Sequence, residues 1–560
     1  MNQTIAHSPT VARRRARGLV LGVAAATLLV TAAHLQAGPP GFTITKPEPG
    51  GLIGRPIITS VSNSADSTTL NWTGLLGPYQ VEQSSTLAPG SWQPVGAPVA
   101  ETTVVVPKQS GMGFLRINAP QRSFLSADKC GLCHEEKYNS WTNTAHHGAL
   151  GSLKAIGQGA NAFCLPCHTV GAGRTGGFKD EATTPALAGV QCENCHGPAG
   201  GHSQKTSDVT KQPVITLSAK VCGGCHSDAH HPTFEEWETT LHAEVSPDVA
   251  VGILSTNAAT SSARMLACGP CHSGAVRQAL LAAAENQVAP VLPNPKEAAE
   301  IGVTCVVCHD PHESTAHGSQ LRYPKASMAD YTYSTSTNTT FAAQYNPNIV
   351  VCGQCHNSRN AAWTDTSRSP HYSPQYNIVI GTRGYYEGTN APPQSPHRDI
   401  PNQCAHCHTH PHSVAQPTEA NPNFTGHDFA PRMTSCEPCH DAEEATLFTE
   451  STQTYTKSRI ATVKGLLEQW ALTKAPADLK TKYGSLAWEY TSIGNLSTPT
   501  PTVTAGPNST EQKSIPDAVK QARYNLYLVS KDGSGGVHNG RYTRFLLKVA
   551  EDKVNALLAQ

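Results

Sequence analysis

All eighteen cysteines of this 560-residue chain belong to Cys-x-x-Cys-His units, so nine such units use the cysteine content completely. They are Cys130/Cys133/His134, Cys164/Cys167/His168, Cys192/Cys195/His196, Cys222/Cys225/His226, Cys268/Cys271/His272, Cys305/Cys308/His309, Cys352/Cys355/His356, Cys404/Cys407/His408 and Cys436/Cys439/His440. Two thiols three positions apart can each form a thioether to a haem vinyl group while the adjacent imidazole reaches the iron. Paired cysteines also build zinc knuckles and redox dithiols, and the histidine separates these readings. Histidine makes up 26 of 560 residues. Its occurrence after all nine pairs by accident has odds on the order of one in 10¹² for independent positions. The expected cofactor is heme c, nine copies, with the cysteines as covalent anchors and the nine adjacent histidines as axial ligands.

This cofactor load dictates the expected fold. The units all lie within 130–440, about 35 residues for each haem, and a chain at that density cannot bury a normal protein core. The expected fold class is a multihaem cytochrome c, mainly α and loop, with a haem-packed core. Its glycine (46) and proline (41) content suits loops wrapped round haems. Intervals between first cysteines of 34, 28, 30, 46, 37, 47, 52 and 32 have no constant period, which argues against a solenoid. Lys plus Arg equals Asp plus Glu, at 41 each, so no basic surface points to nucleic acid. Haem propionates would make the loaded protein more acidic and tilt it toward a basic redox partner.

The flanks differ in texture. Residues 1–37 read as a signal peptide: Arg13, Arg14, Arg15 and Arg17 precede an apolar stretch at 19–33 and a small-residue cleavage site at 35–37. About 15 apolar residues fall short of the roughly 20 that span a bilayer. The expected location is therefore exported, periplasmic or at the cell surface, with no transmembrane segment after cleavage. Residues 38–125 form a β-sandwich-like module and linker, with β-favouring runs at 57–61, 68–72, 79–82 and 102–106. Leu-Asn-Trp-Thr-Gly at 70–74, Tyr-Gln-Val-Glu at 79–82 and Ser-Trp-Gln-Pro-Val-Gly at 91–96 resemble fibronectin-type-III-like modules of exported bacterial proteins, which implies attachment or spacing. The nonahaem core is expected over 126–445 and a helical C-terminal region packing on it over 446–560. Apolar positions at helical spacing predict helices at 443–474, 515–530 and 540–558, with a Pro-Thr linker near 498–507.

Nine motif histidines leave 17 others, and a second axial imidazole on each iron decides between an electron wire and an open catalytic iron. Trp-x-x-Thr-x-His occurs twice, ending at His146 and His242. Here the chain resembles the multihaem cytochromes related to pentahaem nitrite reductase, octahaem hydroxylamine oxidoreductase and the tetrahaem cytochrome of ammonia oxidation. In that group the pattern supplies a distal ligand, which implies His146 and His242. Similar contexts surround His202 (Cys-His-Gly-Pro-Ala-Gly-Gly-His), His231 (His-His-Pro-Thr-Phe), His312 (Cys-His-Asp-Pro-His), His371 and His397 (both Ser-Pro-His), His427 (Gly-His-Asp-Phe) and His538 (Gly-Val-His-Asn). The resemblance thus implies nine distal candidates, while His147, His317, His406, His410 and His412 compete with them and His230 shares the pair at 230–231.

The chain departs from the nitrite reductases in having no Cys-x-x-Cys-Lys unit, which disfavours that chemistry. A cross-linking tyrosine of the hydroxylamine oxidoreductase kind cannot be singled out among 16 tyrosines. The expected function is electron relay between redox partners through closely packed bis-histidine haems. The alternative is a multihaem oxidoreductase acting on a small inorganic nitrogen or sulfur compound, such as hydroxylamine, nitrite or tetrathionate, at one five-coordinate haem; on this reading no catalytic residue is identified.

Overall fold

A computed structural model describes residues 57–560 apart from 74–78, 89, 98, 100–102, 108–112, 119–122, 209–210, 214, 287, 315–317, 323–350 and 401. The expected export signal at 1–37, the first residue of the run at 102–106 and His317 lie outside the described residues. Two compact units are seen, one drawn from 1–129 and 149–215, the other from 130–148 and 216–560.

The first unit begins with two three-stranded antiparallel sheets. Strands β1 (Ile57–Asn63), β2 (Ser67–Thr73) and β5 (Thr103–Pro107) pair in the order β1-β2-β5. Strands β3 (Gln80–Ser84), β4 (Gln93–Pro94) and β6 (Phe114–Asn118) pair in the order β4-β3-β6. Alternation sets the faces: Thr68, Leu70 and Trp72 turn inward at a period of two. Leu70 and Trp72 join Tyr79, Val81 and Val106 in one apolar cluster, where Trp72 and Tyr79 meet edge to face at 5.4 Å. Beyond the sheets, Leu150, Leu153, Val170, Phe178 and Leu187 form a second small core.

In the second unit, the helices α1 (Pro247–Ile253), α2 (Ala258–His272), α3 (Gly274–Asn286) and α4 (Pro295–Glu300) surround Val249, Ile253, Met265, Val276 and Ala298. Asn257 caps α2 by accepting the Thr260 N–H at 3.0 Å, and the helix ends in the Cys268/Cys271/His272 unit.

The C-terminal part is built differently, around an ordinary protein core. Helix α5 (Ala442–Thr473) starts at Asp441, whose side chain accepts the Glu444 N–H at 2.8 Å, with Glu443 and Glu444 placed favourably in its first turn. It packs with α6 (Asp517–Asp532) and α7 (Gly540–Leu558), burying Val463, Leu467, Trp470, Leu526, Leu528, Leu546 and Val554 among others. These helices lie within two residues of the ranges expected from periodicity. Among the described residues no helix is long and apolar enough to cross a membrane.

Side chains of α6 also clamp the 361–385 segment, which follows the Cys352/Cys355/His356 unit. The buried Asn525 amide accepts the Tyr385 N–H at 2.7 Å and donates to the Tyr385 carbonyl at 2.8 Å. Tyr524 donates to the Arg383 carbonyl at 2.6 Å, and Arg523 donates to the Trp488 and Glu489 carbonyls at 2.9 Å. Asn525→Ala strands both Tyr385 backbone groups, and should cost about 2–4 kcal/mol in denaturant unfolding of the helical part followed by circular dichroism. Lys553→Ala removes an ion pair to the exposed Glu387 and should change the same measurement by less than about 1 kcal/mol.

Candidate haem-binding sites

Each motif needs two thiols and one imidazole on a common side, and a helical turn supplies this, because positions i, i+3 and i+4 share one face. The backbone closes such turns. The His134 and Cys133 N–H groups both bond the Cys130 carbonyl, at 2.9 and 3.1 Å. The same pairing recurs at Cys222, Cys352 and Cys436, and His309 N–H reaches the Cys305 carbonyl at 2.9 Å. No disulfide joins the eighteen thiols.

Histidines then come together in twos. In the second unit, motif histidines face others as His226–His146 (ring centroids 6.2 Å apart), His356–His242 (6.1 Å), His272–His371 (6.1 Å), His309–His427 (6.2 Å), His440–His397 (6.5 Å) and His408–His538 (6.2 Å). A metal bonded to two opposed imidazoles at about 2 Å from each nitrogen requires centroids about 6 Å apart. Among the described residues no group of three or more His, Cys, Asp or Glu is disposed to hold a metal ion. The arrangement therefore fits an iron with one imidazole on each side.

Hydrogen bonds settle which nitrogen is available. A carbonyl oxygen only accepts, so an Nδ1 facing one must carry the proton, leaving the Nε2 lone pair for metal. This holds for His309 on Ser319 O (2.6 Å), His397 on Val537 O (2.7 Å), His408 on Phe429 O (2.7 Å) and, in the first unit, His168 on Ala149 O (2.9 Å). The Nδ1 atoms of His272 and His427 sit at 3.0 and 3.1 Å from the hydroxyls of Ser246 and Thr425, and His538 Nδ1 at 2.6 Å from Asp532 Oδ1. Desolvation lowers the proton affinity of many of the paired rings: it pushes His226, His242 and His371 down to about 4 and also lowers His146, His309, His356, His408 and His427.

The remaining candidates are placed differently. His202 is half-buried in the short helix Gly200–Gln204 of the first unit, with a buried Nδ1. His231 is exposed beside His230, their centroids 6.5 Å apart. His312 lies 3.8 Å from the Asp310 carboxylate through Nδ1. Of the competitors, His406 turns its Nε2 to the Ser435 carbonyl at 3.0 Å, so that nitrogen carries a proton, and His147 packs edge-on against Trp141 at 4.8 Å. His412 pairs through its backbone with Phe424. His410, part of the turn after Cys404/Cys407/His408, is half-buried.

Motifs distant in sequence also meet through their thiols. Cys222 lies beside Cys305, Cys271 beside Cys355, and Cys352 beside Cys404. Cys271 and Cys355 additionally lie 4.0 and 3.9 Å from the carbonyls of Gln354 and Pro270, each in the other's motif. Apolar side chains next to the motifs stay open: Leu132 inside the first unit of the series, Phe163 before Cys164 and Leu241 before His242 are all exposed. Such surface suits an apolar cofactor face.

The anchoring thiols differ in their surroundings. Desolvation does push the Cys195 and Cys308 thiols up, to about 11 and 12. Cys195, Cys308, Cys167 and Cys225 are all half-buried, whereas Cys133 and Cys439 are exposed. The backbone turns are in register alike: the N–H groups of Cys167, Cys225 and Cys439 reach the carbonyls of Cys164, Cys222 and Cys436 at 3.2, 3.0 and 3.0 Å. The physical reason for the difference is local surroundings, because a closed turn fixes where a thiol points within its motif and not what covers it. Glu437 and Pro438, between Cys436 and Cys439, are both exposed, which leaves that turn on the surface.

Supporting groups have little signature in sequence. Glu236 accepts the N–H groups of Thr425 and His427 at 2.9 and 2.8 Å and the Thr425 hydroxyl at 2.7 Å, holding His427 from 191 residues away. Buried Glu193 accepts the N–H groups of Leu125 and Ala199 at 2.7 Å, fixing the Cys192–His196 turn.

The family model for cytochrome c554 and c-prime matches residues 129–197. Cytochrome c-554 of Nitrosomonas europaea is 36% identical over 95 residues, covering 14% of this chain and 40% of that protein. Multiheme cytochrome MtrA of Shewanella baltica is 28% identical over 190 residues, covering 31% and 52%. The chain thus spans about half the length of these relatives, or less. The crystal structure of outer cell wall cytochrome OcwA superposes with a TM-score of 0.48 at 17% identity, over 77% of this chain and 99% of that one. Cytochrome c nitrite reductase from Desulfovibrio desulfuricans gives 0.28 at 13% identity, over 47% and 57%. Over part of its length the chain is similar to multihaem c-type cytochromes.

Glu236→Ala should free the 425–427 backbone. Amide exchange at Thr425 and His427, read by mass spectrometry, should accelerate about tenfold or more, the equivalent of losing roughly 1.4 kcal/mol.

Proposed function

We propose that the chain is an exported nine-haem c-type cytochrome that relays electrons between redox partners. The observation that carries this reading is the set of six opposed histidine pairs in the second unit, each spaced for one iron. Haem supplies reversible one-electron exchange between ferric and ferrous iron. The chain's part is to anchor it through the eighteen motif cysteines and to hold both axial positions. His134, His168, His196, His226, His272, His309, His356, His408 and His440 take one side. His146, His242, His371, His397, His427 and His538 take the other in six sites, and His202, His231 and His312 remain the candidates for the other three.

Thiol contacts support close packing. The proximity of Cys222 to Cys305, of Cys352 to Cys404 and of Cys271 to Cys355 would set haem attachment points side by side, with the Cys352/Cys355/His356 site next to two other motifs. The exposed Cys133 and Cys439 put two attachment points where an outside redox partner can reach them. With both axial positions taken by imidazoles, water and small ligands would be kept from the irons. The basic, apolar and small-residue order of 1–37 supports export to the periplasm or cell surface, where thioether attachment takes place, and the two-sheet module serves as a spacer or attachment domain.

Intact mass from a haem-maturing host should exceed the apoprotein by nine haems, and spectra should be indifferent to cyanide and hydroxylamine. A hydroxylamine response in the native protein would replace this reading with the oxidoreductase one. His371→Ala should open one iron, giving a cyanide response of about one haem while the mass stays unchanged.

A further inference from the structure

Among the paired imidazoles, His538 has an anionic partner. Its Nδ1 lies 2.6 Å from Oδ1 of Asp532, whose side chain is 1% exposed, whereas His309, His397 and His408 face backbone carbonyls and His272 and His427 face hydroxyls. The carboxylate is itself held in place. Ser534 donates both its hydroxyl and its N–H to Asp532 Oδ2, and the same hydroxyl oxygen accepts the N–H groups of Gly536 and His538 at 3.2 Å. The turn that permits this needs positive φ at Gly533 (77°), Gly535 (65°) and Gly536 (95°), conformations that side chains other than glycine's resist. Asp532 also ends α6, where the helix dipole adds partial negative charge. The adjacent Lys531 ammonium is engaged 3.2 Å from the Tyr372 ring centroid.

Building on the reading above, we propose that Asp532 is a positioning residue that makes the haem anchored by Cys404 and Cys407, between His408 and His538, a low-potential member of the array. A buried carboxylate on Nδ1–H pulls the proton toward itself and gives the imidazole imidazolate character, which strengthens its donation to ferric iron. A fixed negative charge close to the iron also opposes the arriving electron. No bond is made or broken; one electron enters from a neighbouring site and the Nδ1 proton stays between His538 and Asp532.

The test is potentiometric titration of the haem-loaded full chain, followed at the α-band, for the native protein, Asp532→Asn, Asp532→Glu, His538→Ala and the double variant Asp532→Asn/His538→Ala. Asp532→Asn should move one haem's share of the absorbance to higher potential by about tenfold or more in its one-electron equilibrium, 59 mV for n = 1. Low-spin spectra and intact mass should not change. Asp532→Glu, which keeps the charge, should stay close to native, and in the His538→Ala background Asp532→Asn should give a clearly smaller shift, that of the charge alone. An unmoved titration in Asp532→Asn, or an equal shift with and without His538, overturns the proposal. Failure of the underlying reading looks different: a mass short of nine haems, or a His538→Ala protein whose iron gains no cyanide response.

Discussion

The architecture turns on one polar interaction repeated in several settings: a backbone carbonyl, hydroxyl or carboxylate receiving the Nδ1 proton of a histidine. It fixes the ring's orientation and tautomer together and leaves the Nε2 lone pair directed toward the facing imidazole. Residues 309, 397 and 408 meet carbonyls supplied by Ser319, Val537 and Phe429, each from a segment lying elsewhere in the chain. Loop backbone that would otherwise need secondary structure to satisfy its polar groups is thereby put to use.

Two kinds of interior follow. Between 216 and 440 the apolar clusters are small, because much of each segment is committed to motif turns and to loops that deliver imidazoles. After 440 the chain returns to helix-on-helix packing with a broad apolar core. The two are mechanically linked. Asn539, buried at the start of α7, donates to the Val379 carbonyl at 3.1 Å and accepts the Ser395 N–H at 2.8 Å, so the helix next to His538 also positions the loop that carries His397. In the proposed reading the C-terminal bundle is the rigid frame for two axial ligands, and its stability transfers to the haems they hold.

Much of this was legible in the residues. Motif chemistry is local, because three side chains spaced i, i+3 and i+4 need only one helical turn to act together. How deeply each thiol sits was not legible, since the turns ending at Cys308 and Cys439 share one pattern and differ in what surrounds them. The C-terminal helices were legible for a similar local reason, as their apolar spacing and caps at Asp441 and Asn539 are contained within each segment. Six of the nine histidines singled out by context, at 146, 242, 371, 397, 427 and 538, stand opposite motif histidines in the fold. Which motif each one faces was hidden. His146 faces a ring 80 residues onward and His538 one 130 residues back, and nothing in a local window encodes such closure.

The sequence by itself determined the number and spacing of the Cys-x-x-Cys-His units, because such a motif depends only on neighbours in the chain. It also determined where an ordinary helical core would form, through periodicity. Tertiary structure alone decided the pairing of imidazoles, the meeting of Cys271 with Cys355 and of Cys352 with Cys404, and the roles of Glu236 and Asp532. These depend on groups brought together across long loops, where the information lies in the summed packing of many weak contacts and not in any one motif.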